Sequence, residues 1–228
     1  MRFSFPPAPV PSVPVASGDS FPVRRIFCVG RNYADHAREM GSDPVREKPF
    51  FFTKLADSIL ANGSVMPYPP ATENLHHEVE LVVALGKGGR DIPVDRVDAG
   101  HVFGYAVGLD MTRRDLQAAA KAKGQPWDMA KGFDKSAPVS SIVAAAQARD
   151  MSRGRIALSV NGEVRQSGDI ADMIWSVPEL VHELSKLVEL APGDLIFTGT
   201  PAGVGPVVRG DRLEATVAGL EPLIITIG

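Results

Sequence analysis

The sequence predicts a β-rich α+β fold, and three observations carry that expectation. Strand-like segments outnumber helical ones, few strand–helix–strand alternations appear, and Asn161-Gly162 between two strand-like runs is a strong short-range hairpin signal. A doubly wound parallel sheet would need the alternation that is missing. The 228 residues can bury a sizeable core, and 44% hydrophobic with 22% charged residues is the composition of an ordinary globular chain. Twenty-four Lys and Arg against 27 Asp and Glu leave a formal charge of −3, so no large basic field exists to gather nucleic acid. A single cysteine cannot form an internal disulfide, and no long apolar run offers a membrane span. The expectation is a cytoplasmic protein with no nucleic-acid or membrane partner.

Six of the 19 prolines fall within residues 1–22, which read as an extended arm ahead of a single domain over residues 23–228. IFCVG (26–30) is a short buried strand, and NYADHAREM (32–40) a short helix with Asn32 as N-cap and Gly41 as its left-handed stop. HEVELVVAL (77–85) is the strongest strand candidate of its region, and HVFGYAVGLD (101–110) reads as another. Thr112 and Asp115 have capping-box spacing for an alanine-rich helix that stops at Gly124. Ser176 and Glu179 open a second helix, on which Leu180, Leu184, Leu187 and Val188 share one face. GDLIFTGTPAGVGP (193–206) is a strand running into a glycine-rich loop, and two strands close the chain.

The acids are placed more tellingly than they are counted. Glu78 and Glu80, two apart on a strand, would leave the same face about 6.5–7 Å from each other, close enough to converge on one cation. The apolar residues around them argue burial, where unpaired carboxylates are costly. Asp110 closes the next apolar strand. Three oxygen ligands favour Mg²⁺ or Mn²⁺ over Zn²⁺. The competing reading puts Glu78 and Glu80 on a solvent-facing edge strand and makes Asp110 a helix cap. His36 and Glu39, three apart on a helix, can pair so that the imidazole acts as a general base; a plain solvated helix face is the alternative. Thr200 and its neighbours form either an anion-accepting nest or an ordinary turn. Cys28 reads as a small core residue, His76 and His77 as positioning or structural groups, and Trp127 and Trp175 as packing residues.

Six segments in order, GRNYADHAREM (30–40), NLHHEVEL (74–81), GLDMTRRDLQ (108–117), WDMAKGF (127–133), VNGEVRQ (160–166) and GDLIFTGTPAGVGP (193–206), resemble the fumarylacetoacetate hydrolase family. The likeness is greatest to its acylpyruvate hydrolase branch, and the Pro-rich start with FPVRRIFCVGRNYA looks like bacterial fumarylpyruvate hydrolases. The resemblance implies a roll of mixed β-sheets, usually a homodimer, with the site at the mouth of the roll. It implies that Glu78, Glu80 and Asp110 hold Mg²⁺ or Mn²⁺, and that His36 and Glu39 activate water on a helix acting as a lid. Lys131 would stand near the reacting oxygens, and Arg114, Gln117 and Thr200 would contact the substrate. The implied activity is metal-dependent carbon–carbon hydrolysis of 2,4-dioxo acids, fumarylpyruvate to fumarate and pyruvate in the closest branch. The same site could serve an oxaloacetate decarboxylase or tautomerase, or a silent α-keto acid-binding member. Two departures stand out: Leu55 where the family usually has proline after Lys54, and GFDKS after Lys131.

Overall fold

Seven consecutive buried residues, Val79–Leu85, form the strand around which the molecule is arranged. The computed structural model describes residues 3–39, 46–98 and 100–228. Alternation sends Val79, Leu81, Val83 and Leu85 into a large core, and Val82 and Ala84 into a second one with Ile26, Cys28, Ala106, Leu195 and Phe197. Burial on both faces explains why this strand reads as an unbroken apolar run.

The strand pairs antiparallel with Val102–Leu109 and with Asp194–Phe197. These belong to an eight-stranded sheet in the order Phe50–Lys54, Arg25–Gly30, Asp194–Phe197, Val79–Leu85, Val102–Leu109, Ala137–Val139 and Ile59–Ala61, with Val143–Ala144 also on Val102–Leu109. The sheet is mixed, since Asp194–Phe197 runs parallel to Arg25–Gly30 and Ala137–Val139 parallel to Ile59–Ala61. A five-stranded sheet built from Arg155–Val160, Glu163–Asp169, Arg212–Val217, Leu223–Ile227 and Val65–Met66 closes over the large core. The result is the expected β-rich, curled mixed sheet with a few short helices. Near the N-terminus Ser12–Pro14 pairs with Ser20–Pro22, and Val13, Val15 and Phe21 are buried in the second core.

Local signals set several elements. Asn161 and Gly162 both take positive φ, at 53° and 84°, the geometry of a tight hairpin turn between Arg155–Val160 and Glu163–Asp169. Ser176 and Glu179 complete a capping box on the helix Val177–Leu187. Its buried face is Val177, Leu180, Val181 and Leu184, and burying Leu180 and Leu184 stabilises by roughly 1.5–3 kcal/mol each. Leu187, expected on that face, is instead 66% exposed, because the helix ends there and its side chain falls past the core.

Two caps expected from sequence are not made. Thr112 lies in a short strand opposite His76 and gives its hydroxyl proton to the Asp110 carbonyl, so the helix starts at Arg114, and Asp115 accepts from Thr72 and Glu73. Asn32 precedes the helix Ala34–Glu39 and spends its amide elsewhere, as set out below. The expected stop at Gly41 lies outside the described residues. Among the described residues no helix is long and apolar enough to cross a membrane.

Candidate active site

The backbone ladder assembles the three acids. Glu78 stands between the strands Leu75–His77 and Val79–Leu85, Asp110 directly follows Val102–Leu109, and the Asp110 N–H donates to the Glu78 carbonyl at 2.9 Å. Glu80 faces Gly108 in the same antiparallel register, so all three carboxylates leave one face at one end of the sheet. One ligand oxygen from each lies within 4.8 Å of the others, and all three residues are buried. A Cβ on Gly108 would lie 2.5 Å from Val82 Cγ2 and 2.7 Å from the Phe197 ring, so the position opposite Glu80 stays a glycine. The edge-strand reading of this pair therefore does not hold.

Three cations meet these charges unevenly. Lys131, on the short helix Asp128–Lys131, donates to Glu78 Oε2 at 2.8 Å and to Asp110 Oδ2 at 2.7 Å. Arg114 donates to Glu78 Oε1 at 2.5 Å. Lys54 Nζ lies 2.8 Å from Asp110 Oδ1 as an ion pair outside hydrogen-bonding geometry, and donates to the carbonyls of Met111 and Lys131. Leu55, at φ −75°, takes a backbone angle that proline would also take, so that departure leaves Lys54 in place. After Lys131, Ser136 closes the GFDKS turn by donating to the Lys131 carbonyl at 3.1 Å.

Glu80 is the exception. Among the described residues its carboxylate accepts one hydrogen bond, from the Gly199 N–H to Oε2 at 2.7 Å, and makes no ion pair. Burial, then the neighbouring Asp110 and Glu78 charges, push its carboxyl well above the usual range. Burial opposes the charge of Glu78 too, but Lys131 and Arg114 outweigh it and hold that carboxyl below the usual range. Burial likewise works against charge on Lys131, and the Asp110 and Glu78 carboxylates raise its pKa nonetheless. An all-oxygen donor set with one uncompensated carboxylate and one carboxylate oxygen lacking a donor fits a hard divalent cation.

A cleft enclosing about 510 Å³, part of it open to solvent, lies over this end of the sheet. Glu78, Glu80, Lys131, His36, Arg114, Gln117 and Thr200 all line it. Asp110, wholly buried, reaches it through Lys131; Glu39 sits outside it and holds His36 Nδ1 at 3.2 Å. The Gly203 N–H in turn anchors Glu39 at 3.2 Å. His36 Nε2 makes no hydrogen bond to a described residue. Arg114 and Gln117 stand one helical turn apart on Arg114–Ala122 and bond at 2.5 Å.

Two residues whose roles rest on distant partners hold the walls together. Gln166 accepts from His77 Nδ1 at 2.9 Å and the Val79 N–H at 3.0 Å, and donates to Thr200 Oγ1 and the Pro201 carbonyl at 2.8 Å each. Thr200 is thus placed by the hairpin strand. Asn32 donates to the carbonyls of Trp175 and Thr198 and accepts from the Trp175 N–H, tying the His36 segment to the Thr200 loop. Gly199, at φ 99°, passes so close that a Cβ would lie 2.7 Å from the Asn32 Cβ. Cys28 is buried, and burial followed by the Asp110 and Glu80 charges raises its thiol pKa, so it packs rather than attacks.

The family model described as fumarylacetoacetate (FAA) hydrolase C-terminal matches residues 25–227. A crystal structure of fumarylpyruvate hydrolase from Pseudomonas aeruginosa in complex with Mn²⁺ and pyruvate is 51% identical, superimposes with a TM-score of 0.96 and covers 99% of each chain. The fumarylpyruvate hydrolase of Ralstonia sp is 44% identical over 182 residues, 80% of this chain and 94% of that one. The mitochondrial oxaloacetate tautomerase of Homo sapiens is 46% identical over 204 residues, 90% of this chain and 91% of that one. With its sheet order, its buried acids and these similarities together, this chain belongs to the fumarylacetoacetate hydrolase family.

Proposed function

We propose that this protein is a divalent-metal-dependent hydrolase that cleaves a carbon–carbon bond in 2,4-dioxo acids, with fumarylpyruvate converted to fumarate and pyruvate. The observation that carries the proposal is the gathering of Glu78, Glu80 and Lys131 with His36 around one cleft. The Mn²⁺ and pyruvate of the Pseudomonas aeruginosa structure support it. Glu78, Glu80 and Asp110 are the residues that would hold Mg²⁺ or Mn²⁺. Such an ion supplies Lewis-acid polarisation and orients the oxo acid.

The remaining steps belong to the side chains. Glu39 holds His36 so that Nε2 faces the cleft and takes a proton from water, a contribution of roughly 10²–10⁴-fold. The water oxygen bonds to the carbonyl carbon distal to the oxo acid, and the bond from that carbon to the methylene breaks. Its electron pair passes to the pyruvate fragment as an enolate, which is protonated to pyruvate. Lys131 stabilises the developing negative oxygen, while Arg114, Gln117 and Thr200 contact the oxo acid end. Residues 23–228 form the catalytic unit in this reading, with residues 1–22 as an arm. We also propose a cytoplasmic homodimer, for which light scattering should give twice the 24.3 kDa of one chain.

The similarity to oxaloacetate tautomerase supports a second reading in which the same site handles oxaloacetate. Assaying fumarylpyruvate, acetylpyruvate and oxaloacetate with Mg²⁺ and with EDTA separates the two. Metal-dependent pyruvate release from fumarylpyruvate is expected. A rate confined to oxaloacetate would replace the hydrolase reading with the second one.

A further inference from the structure

The outer part of the cleft is built differently from the acid end. Arg31 lines it at φ 61°, a left-handed conformation that is unfavourable for a residue with a side chain and that often marks a functional constraint. The Arg31 guanidinium sits over the Phe50 ring, 5.7 Å from its centre, and makes no ion pair with any described residue. Phe50 packs edge-on against Trp127 at 5.3 Å, and Trp127 against Phe52 at 6.0 Å, so an aromatic wall lines the same cleft. On the helix Arg114–Ala122, Arg114 reaches Glu78, Gln117 follows one turn on, and Lys121 lines the cleft a further turn out. Seven residues of helix place Lys121 about 10 Å along the axis from Arg114. The cleft therefore carries one set of cations locked onto the acids and another, Arg31 and Lys121, at exposed positions.

We infer that Arg31 recognises a second carboxylate at the far end of the substrate, so that the cleft prefers oxo acids ending in a carboxylate over those ending in an alkyl group. This rests on the reading of the acid end as an oxo-acid site. A guanidinium fork matches a carboxylate bidentately, and the aromatic wall suits the flat, unsaturated chain between the two ends. Lys121 adds positive potential to the same rim.

Arg31→Gly is the sharpest test, because glycine adopts the left-handed conformation freely and the fold is kept while the guanidinium is lost. The ratio of kcat/KM for fumarylpyruvate over acetylpyruvate should fall roughly 10–100-fold, with Arg31→Lys intermediate. A ratio unchanged in both variants overturns the inference. Calorimetric titration of the Mn²⁺-loaded protein with 2-oxoglutarate and with 2-oxopentanoate supplies a readout that needs no turnover. These ligands share the oxo acid end and differ in the far carboxylate. Wild type should bind 2-oxoglutarate at least tenfold more tightly, and Arg31→Gly should erase that preference. Equal binding of the two by wild type also overturns the inference, as does failure to bind either. Failure of wild type to cleave either dioxo acid, with the binding preference intact, refutes the hydrolase reading and leaves the role of Arg31 standing.

Discussion

The two ends of the cleft differ in how deeply their charged residues are buried. At the acid end Glu78, Glu80, Asp110, Lys54 and Lys131 are buried and Arg114 is half-buried, and Glu78, Asp110, Lys54, Lys131 and Arg114 pair with one another. At the outer end Arg31 and Lys121 are exposed, and the guanidinium rests on an aromatic ring rather than on a carboxylate. The difference teaches that the acid end is pre-paired and suited to holding a cation, whereas the outer end leaves a guanidinium accessible to a bound molecule. Both ends are carried in part by one helix, Arg114–Ala122.

The largest expected effect lies at the acid end. Glu80→Ala should abolish both divalent-metal binding and turnover; Mg²⁺ affinity unchanged by calorimetry would remove Glu80 from the metal site. His36→Ala should lower kcat by roughly 10²–10⁴-fold and leave metal affinity intact. A parallel loss of metal binding would instead make His36 part of the metal site.

Lys131→Met leaves the buried Glu78 and Asp110 carboxylates short of a partner, and chemical denaturation should register a loss of about 3–5 kcal/mol. Added Mg²⁺ should return part of that stability, and no return would argue that the acids do not share a cation. Gln166→Leu removes the donor to Thr200 and the acceptor for His77. It should raise KM more than it lowers kcat and reduce stability by about 1–3 kcal/mol.

The smallest effect concerns the helix that links the two ends. Hydrogen bonds from Thr72, Glu73 and Leu116 outweigh burial and hold Asp115 below the usual carboxylate range. Its contribution is therefore present above the unfolded-state value of about 3.9 and lost as pH falls through the lower folded value. Asp115→Asn should cost about 0.5–1 kcal/mol at neutral pH, and the difference from wild type should vanish in strong acid. A difference that persisted there would assign the effect to packing rather than to charge.

How legible each feature was follows from the range of the interaction that makes it. The Asn161-Gly162 turn, the Ser176–Glu179 box and the His36–Glu39 pair are contacts between residues one to three apart, so their signals survive in the chain order. Thr112 and Asn32 were misread for the opposite reason. Thr112 is drawn into pairing with His76, and Asn32 bonds Trp175 and Thr198, 143 and 166 residues away, and these distant partners outbid the local cap. Gln166 closes the VNGEVRQ motif, but its local sequence assigns it no role, because its meaning lies in His77 and Thr200.

By itself the sequence determined the β-rich class, the three acids on apolar strand ends and, through six motifs in order, the family. Periodicity and composition carry such features because they record which residues must leave water. Only the tertiary structure decided that Glu78 and Asp110 are bonded across neighbouring strands, that Glu80 has no cation partner among the described residues, and that Arg31 stands at the outer end of the same cleft. Each of these depends on strand register and on close approach between distant segments. Those distances are set by packing around the two cores, which no local stretch of residues contains.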